Sequence, residues 1–233
     1  MKTRTPGPRA PAPRAPGAKR ILVVDDHPMT RHGVASLLQQ QPGLKVCGEV
    51  DSARAALAAV RAEPPDLIVV DLSLGERSGL ELIKDLHALH PEVPVLVFSM
   101  HYESLYAERA LRAGARGYLM KSEGAAPLIA AVRAVLQGKV YLSEAMRDRA
   151  VHQFSRGAAQ APRDNASLLS DRELEIFELI GRAQGTRQIA RRLRVSVSTV
   201  ETHRSHIKEK LGLSNSTELV HAAANWGGGG GSL

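Results

Sequence analysis

Residues 66–79 read DLIVVDLSLGERSG, and the fold turns on how the first six are taken. Leu67, Ile68, Val69 and Val70 make an aliphatic run too short for a helix and apolar on both sides, as the central strand of a covered parallel sheet is. The run ends on Asp71. In an open α/β sheet the ligand crevice lies beyond the carboxyl ends of the strands, so Asp71 is placed where such sheets do chemistry. A second run, residues 20–24 (RILVV), ends the same way, on Asp25 and Asp26. Three carboxylates at one sheet edge repel one another unless a cation neutralises them, and an all-oxygen ligand set suits Mg²⁺. The first expectation is a magnesium site beside a carboxylate.

Working outward, the strand pattern recurs at residues 20–24, 44–50, 67–70, 95–98 and 117–120, with helical stretches at 29–40, 53–62, 80–90, 104–113 and 126–137. Regular alternation implies right-handed βαβ crossovers. Residues 20–140 are therefore expected to form a doubly wound α/β unit, a five-stranded parallel sheet with helices on both faces. Residues 141–166 read as a linker with room for one more helix, Gly-, Pro- and small-polar-rich over 155–167. Residues 1–19, rich in Pro, Ala and Arg, cannot bury enough surface to order themselves, and residues 227–233 (GGGGGSL) read as a flexible tail.

Residues 167–226 read as a second, all-α unit. Ser170 with Glu173 three positions on makes a capping box before Leu174, Phe177 and Ile180. A second helix spans 187–193, Ser196 or Ser198 caps a third, Gly212 closes it, and a fourth starts at Ser214 or Ser216 and runs to Trp226. Two short helices, a tight turn and a longer third form a helix-turn-helix signature.

Composition narrows the function classes. Hydrophobic residues make up 43% of the 233, but only 3% are aromatic, so the cores must be aliphatic. The sequence holds no run near the roughly 20 apolar residues that span a bilayer. A lone Cys47 rules out an internal disulfide framework and favours the cytosol. The net charge of +7 belongs to the N-terminal stretch and the C-terminal part, while residues 20–141 are near neutral. An anionic partner is thus expected for the C-terminal part only.

Ser99 follows the fourth strand and Lys121 the fifth, so both project at the edge that carries Asp71. A hydroxyl, an ammonium and a divalent cation around one carboxylate are what phosphoryl transfer needs, because catalysis there is mostly positioning and charge neutralisation. Asp71 would be the nucleophile. Here the sequence resembles the receiver domains of two-component response regulators, through Asp25-Asp26, the LIVVD run, Ser99 in VLVFSMH and Lys121 in GYLMKS. The resemblance implies phosphorylation of Asp71. It implies Mg²⁺ bound by Asp26, Asp71 and the backbone carbonyl of Ser73, with Asp25 helping through water, and Lys121 paired with the carboxylate or phosphoryl group. Ser99 would turn to the phosphoryl oxygen and Tyr118 would then move inward, within a switch face of the fourth helix, fifth strand and fifth helix. Gly75 and Ser122 stand where receivers often have proline. His101 is read as a loop histidine with a minor claim to tuning phosphoryl lifetime.

On the third helix of the second unit, a 100° advance per residue from Val200 sends His203, Ile207 and Leu211 inward and Glu201, Thr202, Ser205, Lys208 and Glu209 outward. Outward residues near the N-terminus of such a helix enter the major groove, where Glu201 would accept from cytosine and Thr202 would pack on a thymine methyl, with Arg204 and Lys208 on phosphates or guanine. Residues 168–226 look like the LuxR-type helix-turn-helix, and receiver plus this unit is similar to the NarL/FixJ class of response regulators. The resemblance implies DNA contacts from Ser198, Thr199, Glu201, Thr202, Arg204, Ser205 and Lys208. It also implies a dimer contact from the last helix, promoter DNA and a sensor histidine kinase as partners, no membrane, and a cytoplasmic location. His203 and His206 are not expected to bind metal. A phosphatase of the haloacid dehalogenase type would need an acid at position 73, which is Ser73. A regulator working without phosphorylation, or a receiver that acts by protein docking, is the other alternative.

Overall fold

The computed structural model describes residues 17–75, 77–148 and 168–227. The tail expected over 1–19 falls outside these except at its last three residues, and so do most of the linker and residues 228–233. Of the helix allowed for after residue 141, residues 144–148 are helical and the remainder lies outside the described residues.

Five strands, β1 (Lys19–Val24), β2 (Leu44–Val50), β3 (Leu67–Val70), β4 (Val95–Ser99) and β5 (Gly117–Met120), pair in parallel in the order β2-β1-β3-β4-β5. Helices α1 (Pro28–Gln39), α2 (Ala53–Ala62), α3 (Gly79–Leu89), α4 (Glu103–Ala113) and α5 (Ala125–Leu136) connect them. β3 and β4 are buried along their whole length because both faces carry helices, and that is why they read as unbroken aliphatic runs rather than alternating ones. The β1–β2 register shifts between Ile21 and Leu22 and skips Cys47, whose thiol donates to Ile21 O at 3.4 Å. The cysteine therefore sits at a bulge.

One feature was not expected. Ser73–Leu74 and Arg77–Ser78 pair as a two-residue antiparallel ladder beyond β3, with Gly75 between them at φ +74°. Proline cannot adopt that angle, so the turn explains why Gly75 replaces the proline common in receivers. The chain then doubles back so tightly that a Cβ on Gly79 would lie 2.3 Å from Asp71 O and 2.6 Å from Leu72 Cα.

The second unit is four helices, α6 (Asp171–Gly181), α7 (Thr186–Arg192), α8 (Val197–Leu211) and α9 (Ser216–Gly227). The expected caps hold: Ser170 and Glu173 form the capping box of α6, Ser196 Oγ accepts from Thr199 N–H, and Gly212 closes α8 in the left-handed region. Leu174, Phe177 and Ile180 of α6 pack with Ile189, Leu193, Val200, Ile207 and Leu219 into one core. The same core cluster takes in the α2–α3–α4 side of the first unit, so the two units are docked. Polar contacts border the junction: Lys84 Nζ and Arg109 Nη1 reach the two oxygens of Asp171 at 2.8 and 3.0 Å.

Two outcomes follow. Gly79→Ala must push Asp71 and Leu72 aside, and denaturant unfolding should show a loss of about 1–3 kcal/mol, typical of overpacking; unchanged stability would mean the loop yields freely. Glu173 Oε2 accepts from Ser170 N–H at 2.7 Å and from Lys210 Nζ at 2.6 Å. Burial would raise this carboxyl, but the Lys210 and Ser170 hydrogen bonds outweigh it and lower its pKa. Its contribution is therefore present above the unfolded carboxylate value and lost as pH falls through the lower folded one. Glu173→Gln should cost roughly 1 kcal/mol at neutral pH and flatten the acid limb of the stability profile in that window.

Candidate functional site

Strand register delivers the predicted side chains to one edge. Val24 lies opposite Val70, Asp71 N–H donates to Val24 O at 2.8 Å, and Asp25 N–H donates to Val50 O at 3.1 Å, so both acids leave the sheet at one level. Ser99 lies opposite Met120, and the next residue is Lys121. Its ammonium is 2.7 Å from Asp25 Oδ2 and 2.6 Å from Asp71 Oδ2. The three side chains are 9, 5 and 3% exposed.

Three carboxylates against one ammonium leave this pocket doubly negative. Burial alone would lower the pKa of Lys121, but Asp71 and Asp25 outweigh it and raise it, so the ammonium stays cationic. Asp26 shifts upward through burial and repulsion by Asp71 and Asp25, against the pull of His27 and Arg194. Asp71 Oδ1 and Asp26 Oδ1 are buried without a hydrogen-bond partner; His27 Nδ1 stands 2.7 Å from the latter but outside hydrogen-bond geometry. Unsatisfied anionic oxygens in a negative pocket are what a hard divalent cation satisfies. Asp25, Asp26, His27 and Asp71 offer ligand atoms within 4.8 Å of one another, so the residues present fit Mg²⁺, with His27 as a neighbour absent from the sequence reading.

Ser99 is fully buried and its Oγ accepts from His101 N–H at 3.4 Å. Tyr118 departs from expectation. The resemblance has it move inward on phosphorylation, yet here its ring is already fully buried and its hydroxyl donates to His101 O at 2.9 Å. β5 has helices on both sides, so its aromatic residue has an apolar slot without any rearrangement. Ser73 is half-buried, with Oγ 3.0 Å from His101 Nε2. His101, read as an ordinary loop residue, is 4% exposed and central.

In the second unit the outward face of α8 is open. Ser198, Thr199, Glu201, Thr202 and Ser205 are exposed and the docked first unit does not cover them, whereas Arg204 and Lys208 are half-buried. Glu201 is held by Thr186 Oγ1 at 2.8 Å and faces Arg204 Nε at 3.6 Å, so its carboxylate is oriented before any ligand arrives. As expected, Val200 and Ile207 are buried, with His203 half-buried. The structure adds Glu173 to His203 and His206 as a geometric trio; that carboxylate already accepts from Ser170 and from Lys210, the latter bond tying α6 to α8. Among the described residues no helix is long and apolar enough to cross a membrane.

Comparison with known proteins agrees with this geometry. The response regulator receiver domain matches residues 21–133, and the bacterial regulatory proteins of the luxR family match residues 167–223. The oxygen regulatory protein NreC of Staphylococcus carnosus is 35% identical over 209 residues, spanning 88% of this chain and 96% of that protein. Response regulator GacA of Pseudomonas viridiflava is 35% identical over 209 residues, spanning 89% and 96%. A solved two-component response regulator of the LuxR family from Aurantimonas sp. aligns at TM-score 0.54 and 35% identity over 57% of this chain and 94% of its own. The RcsB response regulator of Salmonella typhimurium aligns at TM-score 0.62 over 90% and 98%, at 22% identity, a likeness of fold. With both halves matched and relatives alike over almost their whole length, the chain belongs to the NarL/FixJ class of two-component response regulators, a receiver domain joined to a LuxR-type helix-turn-helix.

Proposed function

We propose that this protein is a transcriptional regulator whose promoter binding is controlled by phosphorylation of Asp71, the phosphoryl group coming from a sensor histidine kinase in the cytoplasm. The observation that carries the reading is the division of labour on one carboxylate. Asp71 Oδ2 is paired with Lys121, while Oδ1 is buried without a protein partner, which leaves it for the divalent cation and for attack on phosphorus. In that step the Oδ1–P bond forms, the bond from phosphorus to the kinase imidazole breaks, and its electron pair leaves with the imidazole. Lys121 offsets the charge that accumulates on the phosphoryl oxygens, at no cost in reorganisation because it is already in place. Asp25, Asp26, Asp71 and the Ser73 carbonyl would hold Mg²⁺, which when bound neutralises and orients those oxygens. Ser99 would then give up its contact with His101 N–H to donate to a phosphoryl oxygen. Tyr118, already inside, registers that change through its bond to His101 O rather than by moving in.

The output would be carried by α8, with Glu201, Thr202 and Ser205 meeting base edges, Ser198, Thr199, Arg204 and Lys208 on the backbone or guanine, and α9 pairing two copies on DNA. Phosphorylation biases this only to the extent that it favours one arrangement of the two domains over another.

Incubation with acetyl phosphate and Mg²⁺ should add one phosphoryl mass to the wild-type chain and none to Asp71→Asn, read as intact mass; a labelled Asp71→Asn would remove Asp71 from its role. Lys208→Ala should weaken binding to all duplexes alike and reduce the slope of log affinity against log salt by about one unit. A slope that does not move takes Lys208 off the phosphate backbone.

A further inference from the structure

The two domains meet at the phosphorylation pocket itself. Glu178, on α6, is 5% exposed and its Oε2 bonds to Nδ1 of His101, on the loop after β4. A carboxylate only accepts, so this contact places a proton on Nδ1 and directs Nε2 at Ser73 Oγ, 3.0 Å away. Burial would raise the Glu178 carboxyl, but the hydrogen bond and charge of His101, with Arg182, outweigh it and lower its pKa. Through its backbone His101 also holds Ser99 and Tyr118. Among the described residues, His101 thus joins Ser73, Ser99, Tyr118 and the second domain.

A second contact comes from the turn between α7 and α8. Arg194 adopts φ +53°, a left-handed conformation uncommon for a residue with a side chain. This delivers its guanidinium to 4.0 Å from Asp26 Oδ2, across a cleft of about 250 Å³ that Asp26, His27, Ser73 and Gly75 share with Arg191 to Arg194. Its stem lies over Gly75, where even a Cβ would come within 3.2 Å of Arg194 Cδ. A positive side chain of the DNA-binding domain therefore borders the pocket that remains doubly negative after Lys121.

We infer that Glu178 and Arg194 are positioning residues for the phosphorylation reaction: through them the DNA-binding domain, while docked, opposes loading of the pocket by its divalent cation, so that loading and docking exclude one another. This rests on the reading of the Asp71 pocket as a Mg²⁺-dependent phosphoacceptor. A cation entering beside Asp26 repels Arg194. A phosphoryl group on Asp71 draws Ser99 from His101 N–H and loosens the loop that Glu178 grips. Linkage makes the effect reciprocal, so whatever factor docking takes from cation affinity, the cation takes from docking.

The test is Mg²⁺ titration of the full-length chain by calorimetry, with the emission of its one tryptophan followed in parallel. Trp226 lines the groove between the domains with Tyr102, Leu105, Glu178 and Arg182, so its emission reports docking. Arg194→Gly, which suits the left-handed turn, and Glu178→Gln should each tighten Mg²⁺ binding by about threefold or more, a modest factor because the guanidinium is largely exposed. The double variant should gain less than the product of the two, since both act by undocking, and Arg194→Lys should keep the wild-type affinity. Mg²⁺ with beryllofluoride should move wild-type Trp226 emission toward that of Glu178→Gln. Equal affinities in wild type and both variants, abolished by Asp26→Asn, would overturn the coupling alone. Failure of every form to bind Mg²⁺ would overturn the pocket's reading and the coupling with it.

Discussion

The ammonium of Lys121, enclosed between Asp25 and Asp71, is the interaction on which the rest of the receiver depends. Without it Asp25 and Asp71 would converge beside Asp26 at the end of a buried sheet with no cation between them, and such a pocket would either protonate or refuse to close. With it, one oxygen of Asp71 is anchored and the other is left without a partner. The strand order follows the same requirement. Asp25, Asp71 and Lys121 are far apart in the chain, and a parallel sheet running β2-β1-β3-β4-β5 is what brings the ends of β1, β3 and β5 to one edge.

The pocket is connected to the second domain by contacts of a different kind. The apolar core is continuous across the junction, which gives docking its bulk, whereas the polar contacts at its border are specific. His101 bonds Glu178 of the second domain and Ser73, Ser99 and Tyr118 of the first, so it links the pocket to the junction. The face of α8 expected to read DNA stays open in the docked form. On the proposed reading, control would not require that face to be covered; it would act through the orientation of α9 and the pairing of two copies. That distinguishes tethering the domain from masking it.

Much of this was legible in the sequence because its causes are local or periodic. Fully buried parallel strands must be aliphatic on both sides, so the run at Leu67–Val70 and the acid that ends it could be read directly. Caps are equally local, and Ser170 with Glu173, Ser196 and Gly212 stand where side-chain chemistry requires them. Other features had no local signal. A strand buried on both faces does not tell which way its aromatic points, so the sequence could not show that Tyr118 is already inside without phosphorylation. The bond from His101 to Glu178 joins residues 77 apart in the chain, a separation that no spacing rule reports. Gly79 shows only as a glycine before a helix; its need to pass against Asp71 O is a matter of tertiary approach. Arg194 has an ordinary sequence context, and only its tertiary approach to Asp26 and Gly75 reveals that it is delivered to the receiver.

The central claim, that phosphorylation of Asp71 controls DNA binding by this chain, is tested most directly by the affinity for one duplex in the two states. The duplex would be enriched from genomic fragments by the phosphodonor-treated protein, and binding measured at fixed salt with and without acetyl phosphate and Mg²⁺. The account predicts a gain of about tenfold or more in wild type, within the usual range of coupling between sites, and no gain in Asp71→Asn. Equal affinity in the two states, with phosphorylation confirmed by mass, would contradict it and leave a DNA-binding protein whose receiver answers to something else.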